Sequence, residues 1–159
     1  MNPDFRVGLG LDFHRLEEGE KFVLGGVKLD YPKGMVGHSD ADVLTHAVCD
    51  AILGSVDLGD IGTHFPDDDP EYEDISSIKL LEETIEKVAS RGYEVSNLDT
   101  TIIAEEPKLS PYKESIAESL SSAVGVDVSV KATTAEGLGF FGRGEGIVAQ
   151  AIVAVRKIK

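Results

Sequence analysis

Asp12-Phe13-His14, His38-Ser39-Asp40-Ala41-Asp42 and His46 contain three of the four histidines of this 159-residue chain. Asp12 and His14 stand two apart at the end of a strand-like run beginning at Val7. Side chains at i and i+2 on a strand share one face, so this carboxylate and imidazole point the same way. His46 falls in a helix-like stretch beside an apolar stripe, where it can be held rigidly or can simply be a satisfied core histidine. One Asp and two His suit a zinc ion with an open coordination position, the arrangement of catalytic sites.

A second group lies near the C-terminus. Lys131-Ala132-Thr133-Thr134-Ala135-Glu136 follows a strand and enters a glycine-rich run, Gly137 to Gly146. Such a turn exposes backbone N–H groups to phosphate oxygens, and paired threonines add hydroxyl donors. Glu136 suits a hard cation such as Mg²⁺. The same glycines also suit tight turns or close subunit packing. The pattern is neither a Walker loop nor a dinucleotide fingerprint, because Gly142, Gly144 and Gly146 precede a strand. Asp60-Ile61-Gly62 and Phe65-Pro66-Asp67-Asp68-Asp69-Pro70 read equally as a turn-rich acidic loop. Ala104-Glu105-Glu106-Pro107-Lys108-Leu109-Ser110 can present backbone groups to a flat heterocycle, or form a plain capped loop. Glu71–Asp74 reads as a solvated acidic loop with no function.

These groups need elements to carry them. Strand-like segments are Phe5–Phe13, Phe22–Leu24, Val27–Leu29, Thr100–Ala104, Val128–Thr133 and Gly146–Val155. The last is almost continuously apolar, which predicts a central strand buried on both faces. Gly25-Gly26 predicts a hairpin turn. Three helices are expected. The first covers Asp40 to Leu53, capped by Ser39 or Asp40; Asp42, His46 and Asp50 form a polar row along it. The second covers Ile75 to Ser90, with Ile78, Leu81, Ile85 and Val88 inward. The third has Ser110 as its cap and Pro111 at its first position, and ends before Gly125. The class is α/β (α+β), a mixed sheet with helices on one face and a short hairpin.

Composition narrows the function. Fifteen basic against 29 acidic residues leave a net charge of −14, which repels nucleic acid. An anionic small molecule then needs metal cations and backbone donors gathered at one place. No run approaches the roughly 20 apolar residues of a membrane helix, and no cleaved signal is expected. The single cysteine, Cys49, rules out an intrachain disulfide, fits a reducing cytoplasm and reads as core filler.

From Arg6-Val7-Gly8-Leu9-Gly10-Leu11-Asp12-Phe13-His14 to Gly142-Arg143-Gly144-Glu145-Gly146 the chain resembles the 2-C-methyl-D-erythritol 2,4-cyclodiphosphate synthases of the non-mevalonate isoprenoid pathway. The signatures between are His38-Ser39-Asp40-Ala41-Asp42 with His46-Ala47, Leu58-Gly59-Asp60-Ile61-Gly62, and Lys131-Ala132-Thr133-Thr134. The resemblance implies one domain over residues 1–159, with a four-stranded mixed sheet, and a cytoplasmic homotrimer with active sites between subunits. It implies a lyase acting on 4-diphosphocytidyl-2-C-methyl-D-erythritol 2-phosphate: the 2-phosphate attacks the β-phosphorus, CMP leaves and a cyclic diphosphate forms.

By position, it assigns Asp12, His14 and His46 to Zn²⁺ and Glu136 to Mg²⁺ or Mn²⁺. His38 and Thr134 would orient and stabilise the transition state. Ser39 with Phe65, Pro66, Asp67, Asp68 and Asp69 would line the methylerythritol pocket. Asp60, Ile61 and Gly62 would contact substrate, and the segment from Ala104 to Ser110 would cradle cytosine. Thr133, Ala135, Phe140 and Arg143 complete the binding segment; Arg143 and Glu145 would also line a central cavity for an isoprenoid diphosphate. The chain departs from some members at Ala135 and Leu9, neither a matched metal ligand.

Two rivals are a hydrolytic phosphodiesterase or phosphatase and a zinc-stabilised binding protein. The first needs a second metal about 3.5–4 Å away, for which no second full ligand set is evident. The second normally has four protein ligands, often cysteines.

Overall fold

Two glycines on the first strand set the layering. The computed structural model describes residues 3–37, 39–66 and 68–159. Strand β1 (Phe5–Glu18) alternates, with Gly8, Gly10, Asp12 and His14 toward a helical layer and Phe5, Val7, Leu9, Leu11 and Phe13 away from it. Helix α1 (Val43–Ser55) lies directly on those glycines: a Cβ at Gly8 would stand 1.8 Å from the Ala51 carbonyl oxygen, and one at Gly10 1.8 Å from that of Ala47. No side chain fits there, so backbone packs on backbone. Arg6 donates to the Ser55 carbonyl at the C-terminal end of α1, where a cation is favoured.

Next come β2 (Val23–Leu24), β3 (Val27–Lys28), β4 (Lys33–Met35), a short helix α2 (Ile61–His64), α3 (Ser77–Ser90), β5 (Tyr93–Ile103), α4 (Lys113–Val124), β6 (Val128–Thr133), the one-turn α5 (Gly139–Gly142) and β7 (Gly146–Lys157). The main sheet runs β4-β1-β7-β5-β6, antiparallel except for the β5–β6 pair, and α1, α3 and α4 cover one face. It has five strands where four were expected: three residues of β4 add an edge to β1 at Leu16–Glu18. Gly25 (φ 56°) and Gly26 (φ 77°) make the β2–β3 turn, as the two-residue hairpin requires.

Other expectations are corrected by tertiary partners. The α1 cap is Asp42, which accepts from the Thr45 amide, because Asp40 is engaged with Ser77. Asp42 therefore stands ahead of the helix, apart from the row of His46 and Asp50: it is fully buried and also accepts from the Gly25 and Gly26 amides. Ser110 and Pro111 fall in the Leu109–Tyr112 turn, so α4 starts at Lys113. Ile78 and Ile85 are only partly buried, with Leu80 and Thr84 on the inner side of α3 beside Leu81 and Val88. Strand β5 begins at Tyr93 instead of Thr100, its polar residues being carried by pairing with β7 around a bulge at Val95/Asn97.

Strand β7 is central, but only Gly146–Ala149 are buried on both faces; beyond them Gln150 and Ile152 are exposed. With Phe5, Val7, Leu9, Leu11 and Phe13, each at least half exposed, Ile152 leaves the uncovered face of the sheet apolar.

Gly10→Ala forces α1 off β1. We expect a loss of about 1–3 kcal/mol or more in the unfolding free energy, read from urea midpoints at one protein concentration. A wild-type midpoint would contradict the contact.

Candidate active site

The glycine contact delivers α1's His46 onto the two polar residues that continue the same face of β1. Asp12 Oδ2 lies 3.1 Å from His14 Nδ1 and 3.3 Å from His46 Nδ1, and the imidazole centroids are 5.3 Å apart. One ligand atom from each of the three residues falls within 4.8 Å of the others. Asp12 Oδ2 and His14 Nδ1 are also buried atoms without a hydrogen-bond partner among the described residues, the 3.1 Å approach being misaligned for a bond. Buried polar atoms left in this way need an explanation. A metal ion shared by three converging lone pairs supplies one, and an Asp-His-His set fits zinc with a fourth position open.

Electrostatics agree. Burial pushes the Asp12 carboxyl up, but the close contacts and charges of His14 and His46 outweigh it and hold it well below the usual carboxylate range. Burial pushes His46 down, while Asp12, Asp42 and Asp40 more than compensate and leave it raised. Cys49 is no alternative nucleophile, since complete burial drives its thiol far up.

The triad borders a cavity of about 210 Å³ lined also by Gly37, Ser39, Ile61, Gly62, Phe65, Tyr72 and Leu80. Ser39 Oγ lies 3.1 Å from His46 Nε2. Asp50 Oδ1 accepts from the Ile61 amide at 2.7 Å and so fastens α2 to α1. Asp60 caps α2 through the Thr63 amide and hydroxyl, and those bonds lower its carboxyl. Phe65 is buried edge-on against Tyr72, with centroids 5.4 Å apart. Pro66 and Asp68 follow it, and Asp69 caps the single 3₁₀ turn Pro70–Tyr72. His38 and Asp67 lie outside the described residues. The supposedly functionless acidic loop thus places Tyr72 in the wall. Tyr72, Gly37 and Leu80 escaped sequence reading, because an aromatic among acids, a lone glycine and a helix leucine carry no local signal.

The C-terminal group forms a separate assembly. The Ala104 amide bonds to the Thr133 carbonyl, and Glu105 Oε1 accepts from the amides of Ala135 (2.7 Å) and Gly137 (3.4 Å). Glu136 between them has φ 53°, a left-handed conformation costly for a residue with a side chain. Its amide donates to Thr134 Oγ1 at 3.3 Å, and its carboxylate lies exposed 3.4 Å from the same hydroxyl. That carboxylate makes no ion pair among the described residues, which suits a cation completed by waters and phosphates. The segment Glu106 to Ser110 leads from this turn to α4, with Leu109 buried beneath it. Phe140 lines a second cavity with Phe13, His14 and Arg15, and Arg143 pairs with Glu145 at 2.7 Å.

Phe140 reaches the His14 end of β1, but the triad and the turn from Thr133 to Glu136 do not meet within one protomer. His14 pairs with Ile147, Val148 with Ile103, and Ile103 with Thr133. His14 and Thr133 thus share one end of the sheet but stand three strand spacings apart, roughly 14 Å.

The YgbB family model matches residues 5–156. The chain is 54% identical over 153 residues to the 2-C-methyl-D-erythritol 2,4-cyclodiphosphate synthase of Desulfatibacillum aliphaticivorans, covering 94% of this chain and 99% of that protein. The bifunctional IspDF of Campylobacter jejuni superposes with a TM-score of 0.93 at 36% identity, over 98% of this chain and 43% of that longer one. The CDP complex of IspF from Plasmodium falciparum gives 0.86 at 30% identity, over the whole of both chains.

Zinc needs a neutral imidazole, and the raised affinity of His46 for a proton opposes it. Zinc binding is therefore expected to strengthen as pH rises past the ordinary imidazole value of about 6.5 and to release protons. Calorimetry in buffers of different ionisation enthalpy checks this; a flat pH dependence contradicts it.

Proposed function

Because this chain belongs to the YgbB family, we propose that it converts 4-diphosphocytidyl-2-C-methyl-D-erythritol 2-phosphate into 2-C-methyl-D-erythritol 2,4-cyclodiphosphate and CMP. The observation that carries this is the Asp12-His14-His46 triad at the wall of a cavity, on a chain matched along almost its whole length by synthases of that name. The reaction is an intramolecular phosphoryl transfer by a cyclising lyase. An oxygen of the 2-phosphate bonds to the β-phosphorus, and the bond from that phosphorus to the bridging oxygen breaks. The bridging oxygen leaves with CMP.

Such a step asks the protein for position and charge neutralisation more than for a nucleophile. When bound, Zn²⁺ on Asp12, His14 and His46 and Mg²⁺ or Mn²⁺ on Glu136 supply Lewis acidity and offset the phosphate charge. The side chains do the rest. Ser39, Gly62 and Phe65 shape the methylerythritol end, with Ile61, Leu80 and Tyr72 excluding water around it. Asp60, Pro66, Asp67, Asp68 and Asp69 are assigned to the same end of the substrate. The Ala104–Ser110 segment is assigned to cytosine, and a cytidine nucleotide as ligand is in keeping with the CDP complex of the Plasmodium relative. The turn Thr133-Thr134-Ala135-Glu136, its amides held by Glu105 and Thr134, presents the Thr134 hydroxyl to the diphosphate and the Glu136 carboxylate to its cation. His38 is assigned with Thr134 to orient the reacting groups.

One protomer is not enough for this substrate. The triad cavity, about 210 Å³, falls below the roughly 300–1,000 Å³ usual for small-molecule sites, and the second assembly is three strands away. We assign the missing half to a neighbouring copy in a homotrimer closed over the apolar sheet face of Phe5, Val7, Leu9, Leu11, Phe13 and Ile152. Arg143 and Glu145 would border its central cavity, where an isoprenoid diphosphate is the proposed guest. Residues 1–159 act as one domain, and a cytoplasmic location fits the single buried thiol. No helix among the described residues is long and apolar enough to cross a membrane.

Phosphorus NMR of the substrate with protein, Zn²⁺ and Mg²⁺ should show CMP and the cyclic diphosphate in equal amounts. An open-chain diphosphate would indicate hydrolysis, and unchanged substrate with folded, metal-loaded protein would favour a binding protein. His46→Ala should lose both zinc and turnover, whereas full turnover without zinc would overturn the mechanism. Light scattering should give three times the 17.0 kDa chain mass; a monomer that turns over would refute the shared site.

A further inference from the structure

We infer that Ser77, backed by Asp40, is a positioning residue that fixes which nitrogen of His46 faces the metal. The inference rests on the zinc reading of Asp12, His14 and His46. Ser77 opens α3 and is completely buried, outside every motif that suggests chemistry. Its Oγ lies 2.9 Å from His46 Nε2 and donates a hydrogen bond to Asp40 Oδ1. Its amide donates to the other oxygen, Asp40 Oδ2, at 2.9 Å.

Asp40 is itself immobilised. Its amide bonds to the Ile75 carbonyl at 3.2 Å, and its Oδ1 also accepts from the Asp42 amide at 3.3 Å.

The proton count then leaves one arrangement. A serine hydroxyl has a single proton, and an ionised carboxylate has none to give. The Ser77 proton is committed to Asp40, so Oγ can offer His46 only a lone pair. His46 must donate from Nε2, and in the neutral ring that zinc requires its Nδ1 lone pair is left facing Asp12 Oδ2, 3.3 Å away, where the three ligand atoms converge. Outer hydrogen bonds of this kind select the tautomer and orient the ring of metal-ligating histidines.

Ser39 Oγ, 3.1 Å from the same nitrogen, is a second partner. Ser39 lines the cavity and is open to a ligand, while Ser77 stands behind the wall. When substrate engages Ser39, Ser77 alone keeps the ring in place. The relay also ties α3 to the ligand set, so the loop between α2 and α3, which bears Phe65 and Tyr72, ends on the residue that aims His46.

The test reads the nitrogens directly. Long-range proton–nitrogen spectra of the zinc-loaded protein, labelled with ¹⁵N-histidine, should show His46 protonated at Nε2 and metal-bound at Nδ1. By chelator competition, Ser77→Ala should bind zinc 10–100-fold more weakly, and Ser77→Thr, which keeps the hydroxyl, should recover most of the loss. Asp40→Asn, which turns one of the two oxygens that accept from Ser77 into a donor and so breaks one of those bonds, should also weaken zinc and mix the two tautomers. Zinc on Nε2 of native His46 overturns the inference, as does native zinc affinity in folded Ser77→Ala or, should that variant not fold, in Asp40→Asn. Failure of the native protein to bind zinc overturns the zinc reading as well, so the two failures are distinguishable.

Discussion

The close seat of α1 on β1 is the contact from which the rest follows. Gly8 and Gly10 leave the strand without side chains where the Ala51 and Ala47 carbonyls arrive, and the helix comes down to backbone distance. Just beyond the glycines, the same strand face resumes with Asp12 and His14, and the helix carries His46 at that level. A wider separation, as any side chain at position 8 or 10 would impose, would take His46 out of reach of Asp12. The apolar residues of α1, buried on nearly every side between the sheet and α3, then hold the ligand in place. Each fully buried aliphatic side chain contributes about 1.5–3 kcal/mol.

A chain with 29 carboxylates has no shortage of acidic side chains near the site, and what matters is which of them remain available. Asp42 is spent on capping α1 and closing the hairpin, Asp40 on Ser77, Asp50 on the Ile61 amide, Asp60 on Thr63 and Glu105 on the amides of Ala135 and Gly137. Each bond orders a loop of the site. Asp12 Oδ2 and the Glu136 carboxylate accept no backbone amide among the described residues, and these are the two groups a cation would meet. Burial raises Asp42 and Asp50, whereas Asp12 stays ionised because two imidazoles face it.

The remaining constraint is the face of the sheet that carries no helices. Phe5, Val7, Leu9, Leu11, Phe13 and Ile152 are too many and too contiguous to be scattered surface residues. Their burial against neighbouring copies and the assembly of the two halves of the site are, on the reading above, one event. On that proposal, catalysis and oligomerisation share an energetic origin.

Much of this was legible in the residues. The i, i+2 spacing of Asp12 and His14, the Gly25-Gly26 turn, the limits of β6 and the apolar stripe of α1 follow from local geometry, which a short stretch of chain settles alone. Residue types and spacing singled out the triad and the glycine-rich C-terminal turn, and the family motifs added roles to them. Where expectation and structure part, a distant partner is the cause. Asp42 displaces Asp40 as the cap because Ser77 claims Asp40, β7 loses burial on one face because no helix covers it, and β4 exists only because β1 runs on to offer it an edge. Tyr72, Leu80 and Ser77 enter the site from a loop and a helix whose own sequence gives no hint of it. By itself, then, the sequence determined the element types, the metal-ligand chemistry and the family. Which carboxylates stay free, which nitrogen of His46 faces Asp12 and how far apart the two halves lie were decided by tertiary structure, since each depends on contacts between residues tens of positions apart.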